Sequence, residues 1–237
     1  MSTKMMPHHL APNKLFNRFL SYHDSYHCAI DIETEYLDFK EPGVVLSVGM
    51  VTIGPEHYSH VYFTIDREES LALGMKSDPN VVEWLNTLPK PVRDAAYANP
   101  VSVDEALDII EEYVAKVLQD PGCQMLNFIG NAPEFDQGFL DWYFKAKGRK
   151  SPFLHWMNRD YRTLASLQLI SFDDRRMIKE ELRSQHESMS DHHALFDAML
   201  EAKTWVRTIN RVKDLQDLEH EVNTMIALQG NSVEDGE

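Results

Sequence analysis

Asp31 and Glu33 stand two residues apart in the run Tyr26-His27-Cys28-Ala29-Ile30-Asp31-Ile32-Glu33-Thr34. The run is apolar and strand-like up to its acids. Alternate side chains of a strand share a face, so the two carboxylates point the same way. Carboxylates that close repel unless something neutralises them. Hard divalent cations such as Mg2+ do so well, because they favour carboxylate oxygens. An Asp-x-Glu pair alone is common on exposed strands, so this chemistry needs acids from elsewhere in the chain.

Two further segments offer them. Asp136 lies in Gly130-Asn131-Ala132-Pro133-Glu134-Phe135-Asp136, after a short apolar run and at the opening of a helical one. It is either a ligand or a first-turn acid answering the helix dipole, and Glu134 competes for either place. Asn131 or Ala132 is expected to cap that helix, and the Gly130-Asn131 turn brings backbone close to the cleft. Asp197 closes the segment Asp191-His192-His193-Ala194-Leu195-Phe196-Asp197, with four residues between it and His192. A helix starting near His193 puts Asp197 in its first or second turn and His192 on the preceding loop. That arrangement suits a ligating acid beside a general base, with ordinary capping and solvation of the His pair as the alternative. Zinc held by His192 and His193 is disfavoured, because adjacent residues seldom face one ion and no third ligand has suitable spacing.

The elements that must position these groups follow from periodicity and turn residues. Strands are expected at residues 28–33, 44–53 and 60–65, separated at Pro42-Gly43 and Gly54-Pro55, which makes an antiparallel meander. Asp78-Pro79 marks a helix start before residues 80–88. Residues 103–118 form an amphipathic helix opened by Ser102, with Ala106, Leu107, Ile110, Val114 and Val117 on one stripe. A short strand at 125–129 precedes a helix at 135–147 that Gly148 stops. Residues 162–169 read as a strand-to-helix region and 172–183 as a helix. A last helix runs from about 193 to 228, with a break expected near Arg211. Residues 1–26 look like an appended arm, with a short helix at 13–22. Residues 27–205 form the main domain and 206–228 a helical extension. The acidic tail, 229–237, reads as disordered. The stripe of Trp205, Val206, Ile209, Val212, Leu215 and Leu218 either packs on its own domain or docks a partner.

The 237 residues suffice for one α/β domain, and 43% hydrophobic with 26% charged residues is ordinary for a globular chain. No apolar run approaches the roughly 20 residues of a spanning helix, and the first 20 residues lack a continuous apolar stretch of the kind secretory signals carry. Cys28 and Cys123 are too few for a disulfide framework or a Cys-type zinc site. These features point to a cytoplasmic protein without membrane partners. A net charge of −15 argues against coating nucleic acid through an overall field. A local grip remains open. Lys145, Lys147, Arg149, Lys150, Arg159 and Arg162 cluster in sequence, as a phosphate-binding wall or a solvated helix end.

In this order, Asp31/Glu33, Asp136 and His192-x4-Asp197 resemble the DEDDh 3′–5′ exonucleases of the ribonuclease H-like fold. The nearest likeness is to the ribonuclease T-like branch that includes the phage exonuclease A proteins. The segments DIET, VVLSVGMVTI, DPNVVEWL, GNAPEFDQGFL, NRDYRTL and HHALFDA carry it over about residues 27–205. The stretch 35–42 after DIET is longer than the family's usual spacer. The resemblance implies an α/β fold, a mixed sheet of three antiparallel strands followed by parallel ones, flanked by helices. It implies two divalent ions, Mg2+ or Mn2+. Asp31, Glu33 and Asp197 would hold the first, and Asp31 the second with Asp136. His192, rather than His193, would be the general base. Thr34, Trp84, Asn131, Arg159 and Arg162 would touch substrate. For Trp84 a helix core anchor is the alternative, and for the arginines an internal pair with Asp160. The implied activity is hydrolysis of single-stranded nucleic acid from its 3′ end to 5′-mononucleotides. DNA is favoured by the phage likeness, and an exoribonuclease trimming 3′ ends or overhangs is the alternative. A catalytically silent nucleic-acid-binding or polymerase-accessory protein is the reading from another class. A homodimer or a polymerase or repair partner stays open.

Overall fold

The computed structural model describes residues 25–234 except 56 and 188, with side chains described through Met225. Five strands form one sheet in the order β3-β2-β1-β4-β5. They are β1 (Tyr26–Thr34), β2 (Val45–Gly54), β3 (His57–Thr64), β4 (Leu126–Gly130) and β5 (Asn158–Asp160). The first three are antiparallel to one another, and β4 and β5 continue the sheet parallel to β1. This is the mixed, ribonuclease H-like arrangement expected from the sequence.

The two faces of β1 divide the molecule. Cys28, Ile30 and Ile32 face a layer built by α4 (Val103–Gln119) and α5 (Pro133–Ala146), packing with Leu107, Ile110, Phe139 and Tyr143. Ala29 faces the other way, with Val51 and Ile129, onto α7 (Phe172–Gln185) and α8 (Ala194–Glu234). Both acids of β1 share the parity of Ala29, so period-two alternation aims them at the α8 layer.

Helix starts follow local chemistry. Asp78 accepts the Asn80 N–H and Pro79 opens α2 (Pro79–Leu85). Ser102 accepts the Glu105 N–H at the head of α4. Ser171 and Asp174 form a reciprocal capping box on α7. Two short helices, α1 (Arg67–Ala72) and α3 (Lys90–Tyr97), were not foreseen. Each buries too few residues to show an apolar period: Ser70 in the first, Val92 and Ala96 in the second. The strand-to-helix region resolves into β5 followed by α6 (Tyr161–Ala165).

The last helix differs from expectation. It passes Arg211 without a break, because no Gly or Pro occurs between Ala194 and Gln229. It also takes in residues 229–234, which composition had assigned to a disordered tail. Thr208 and Ile209 are buried, so the packed part of α8 extends a turn past residue 205. The helix expected at 13–22 and the last three residues of the tail lie outside the described residues. Among those residues no helix is long and apolar enough to cross a membrane.

Candidate functional site

The site begins with a glycine. Gly49 of β2 stands opposite Asp31, and Ser47 opposite Glu33. A Cβ at Gly49 would lie 2.4 Å from the Ala194 carbonyl carbon and oxygen and 2.5 Å from Leu195 N. Only a residue without a side chain lets the start of α8 rest on the sheet here. That seating carries His192 and Asp197 to the acids of β1. His192 has φ 66, and Asp197 Oδ2 accepts the His192 N–H at 2.8 Å, so the loop folds back on the first turn of α8. One ligand atom each from Glu33, His192 and Asp197 lies within 4.8 Å of the others.

Asp136 arrives from the opposite layer. Ala132 caps α5 at φ 84 with no side-chain bond, and Pro133 supplies the first turn. Asp136 is buried, and its Oδ1 accepts the N–H of Ile32, the residue between the two acids of β1, at 3.3 Å. The acids therefore surround one point of the sheet. A cavity of about 240 Å3 opens there, and its polar lining is Asp31, Glu33, Asn131, Arg175, His192, Asp197 and Glu201, with Ile32 and Leu200 beside them.

Burial dominates the electrostatics. It pushes Glu33 up to about 9, with Asp197 and Asp136 adding repulsion. It pushes Asp136 up to about 7 against the pull of the Ile32 N–H. Asp31 is raised well above the ordinary carboxylate range by burial and then by Asp136, Asp197, Glu33 and Glu201. Asp197 is raised by burial, partly offset by the His192 N–H. Such acids do not ionise together without cations among them. An oxygen-rich set with one imidazole fits a divalent metal ion, and Glu201 Oε2, buried without a hydrogen-bond partner among the described residues, fits the same conclusion.

The two histidines separate cleanly. His192 is exposed on the cavity wall. His193 is buried and stacked on Tyr62 with ring centroids 4.5 Å apart, and burial holds its pKa below the ordinary value.

The profile of the Rv2179c-like 3′–5′ exoribonuclease domain matches residues 26–209. The chain belongs to this family. It is a 3′–5′ exonuclease with a DEDDh-type fold. Among solved structures it is similar to the nuclease domain of 3′hExo, a DEDDh family member determined with rAMP bound. The TM-score is 0.51 at 15% identity, over 80% of this chain and 94% of that one. A second similar structure is cell-death related nuclease 4 (CRN-4), at TM-score 0.49 and 13% identity, over 78% of this chain and 64% of that one. A search of curated proteins returned no match. The matched family is described by exoribonuclease activity, so the DNA preference taken from the phage likeness is not supported.

The exonuclease's expected substrate contacts divide. Asn131 lines the cavity. Trp84 is 46% exposed and sets its ring edge-on to His192 at 5.1 Å, while Val81 and Leu85 anchor α2 in the core. Thr34 does not reach the cavity. It has the opposite parity to Glu33, and its hydroxyl donates to the Val44 carbonyl at 2.7 Å. Arg159 donates to the Trp156 and Asn158 carbonyls, and Arg162 pairs with Asp160 at 3.0 Å. Neither lines the cavity. The basic run is also largely spent: Lys147 pairs with Asp104, Arg149 with Asp108 and Glu111, and Lys145 lies over Trp142. Two charged cavity residues were missed. Glu201 had one signal, an acid four residues after Asp197 on an otherwise apolar helix face. Arg175 had none, since it comes from a polar helix whose docking only the fold reveals.

Proposed function

We propose that this chain is an exoribonuclease that shortens single-stranded RNA from its 3′ end and releases 5′-mononucleotides. Two divalent ions, Mg2+ or Mn2+, are its cofactors, held by Asp31, Glu33, Asp136 and Asp197. The observation that carries the reading is the meeting of acids from β1 and α8 around one cavity, with Asp136 of α5 bonded to the strand between Asp31 and Glu33 and an exposed imidazole on the cavity wall. The exoribonuclease description of the family favours RNA over DNA.

Held by these carboxylates, two divalent ions would supply charge neutralisation at the scissile phosphate and a polarised water. The protein does the rest. Its carboxylates, ionised in the loaded site, fix where the phosphate sits. His192 takes the proton of the attacking water on an imidazole nitrogen and, being exposed, returns it to solvent. Trp84, beside His192, offers a face on which the terminal base stacks, a contact that tolerates any base.

The test is product analysis on matched 5′-labelled RNA and DNA single strands, with Mg2+ or Mn2+ and with EDTA. The expected result is a descending RNA ladder that EDTA stops. DNA shortened in place of RNA would overturn the substrate assignment. No shortening of either under any metal would overturn the activity.

A further inference from the structure

Glu201 stands one turn after Asp197 on α8, and residues four apart share a helix face. It is 6% exposed, yet it lines the same cavity as Asp31 and Glu33. Among the described residues its Oε2 has no hydrogen-bond partner. A carboxylate buried in that way is costly unless a cation meets it. Of the acids around it, Asp136 acts on Glu201 most strongly, ahead of Asp197. The group of ligand atoms formed by Glu33, His192 and Asp197 does not include Glu201, which shares the cavity wall with Asp31, also outside that group.

We propose that Glu201 is a fifth carboxylate of this centre and holds the second divalent ion together with Asp31 and Asp136. The inference rests on the metal-dependent reading above and adds a ligand to it. Charge supports it. Two divalent ions neutralise four of the five carboxylates, and Arg175, on the cavity wall from α7, faces the fifth. Arg175 is held there over the Tyr161 ring at 5.5 Å. The docking of α7 on α8 thus sets the charge balance of the cavity.

The experiment is calorimetric titration of the full chain with Mn2+, for wild type, Glu201→Gln and Asp31→Asn, with melting in EDTA alongside. Wild type should show two binding events. Glu201→Gln should keep the first and weaken the second by about tenfold or more. It should melt in EDTA at or above the wild-type temperature, because the amide keeps the shape of the carboxyl and takes one acid out of the crowded cavity. Asp31→Asn should lose both events. If Glu201→Gln binds Mn2+ like wild type while Asp31→Asn does not, the proposal fails and the metal centre stands. If Asp31→Asn also binds like wild type, the metal-centre reading fails with it. A Glu201→Gln variant that melts below wild type in EDTA would make Glu201 a structural acid and overturn its role as a ligand.

Discussion

Replacing Gly49 with alanine puts one methyl group between β2 and the first residues of α8. The new Cβ would stand 2.4 Å from Ala194 backbone atoms, and ordinary contact begins near 3.4 Å. Sheet and helix must therefore separate by 3.4 minus 2.4, about 1 Å, because no side chain can rotate away. Overpacking of this kind costs about 1–3 kcal/mol. At about 2–4 °C per kcal/mol for a chain of this size, the melting temperature should fall by roughly 2–12 °C. The catalytic effect should be larger in proportion. His192 and Asp197 ride on the displaced helix start while Asp31 and Glu33 stay with the sheet, and a misplacement of about 1 Å can cost roughly 100-fold in rate. Thermal melting by circular dichroism and single-turnover RNA hydrolysis, run well below the variant's melting point, measure the two effects separately. A Gly49→Ala enzyme with wild-type stability and rate would refute the claim that this contact seats the catalytic loop.

Other expectations follow from the same geometry. Glu33 and Asp136 have folded-state pKa values of about 9 and about 7, above their unfolded values, so the fold binds their protons more tightly. Their stabilising contribution is complete below the unfolded pKa and is lost as pH rises through about 7 and then about 9. In EDTA the melting temperature should therefore fall from mildly acid to alkaline pH, and Mn2+ should reverse the loss. Scanning calorimetry that finds metal-free stability rising across that range would contradict this. His192→Ala should lower the hydrolysis rate by roughly 10^2 to 10^4 while Mn2+ binding largely survives. His193→Ala should instead lower the melting temperature, through loss of the Tyr62 stack, and leave the rate near wild type; the reverse pattern would exchange their roles. Trp84→Ala should weaken single-strand binding by about 1–3 kcal/mol with less effect on the single-turnover rate. Unchanged affinity in a fluorescence anisotropy titration would remove Trp84 from the substrate path.

The chemistry and most of the frame could be read from the chain itself. Alternation and β-branched content marked β1 and β2, because a strand's faces are set by its own period. The amphipathic stripe and Ser102 marked α4 for the same local reason. The acid types, their order and the His-x4-Asp spacing carried the family likeness, since the affinity of carboxylates for hard cations belongs to the residue. Between the alternatives that the sequence left open, packing decided, sometimes through near neighbours and sometimes through distant ones. Thr34 turned away because of strand parity and a bond to Val44. Arg162 closed on Asp160. The basic run lost its free charge to acids of α4, which no spacing announces. Glu201 gained its meaning only when Gly49 let α8 lie against the sheet and Asp136 came across from the other layer. The choice between His192 and His193 likewise became a matter of burial, one imidazole under Tyr62 and the other on the cavity wall. Residue type fixes what a group can do. Desolvation and the nearness of other charges decide whether it does so, and both are properties of the folded chain.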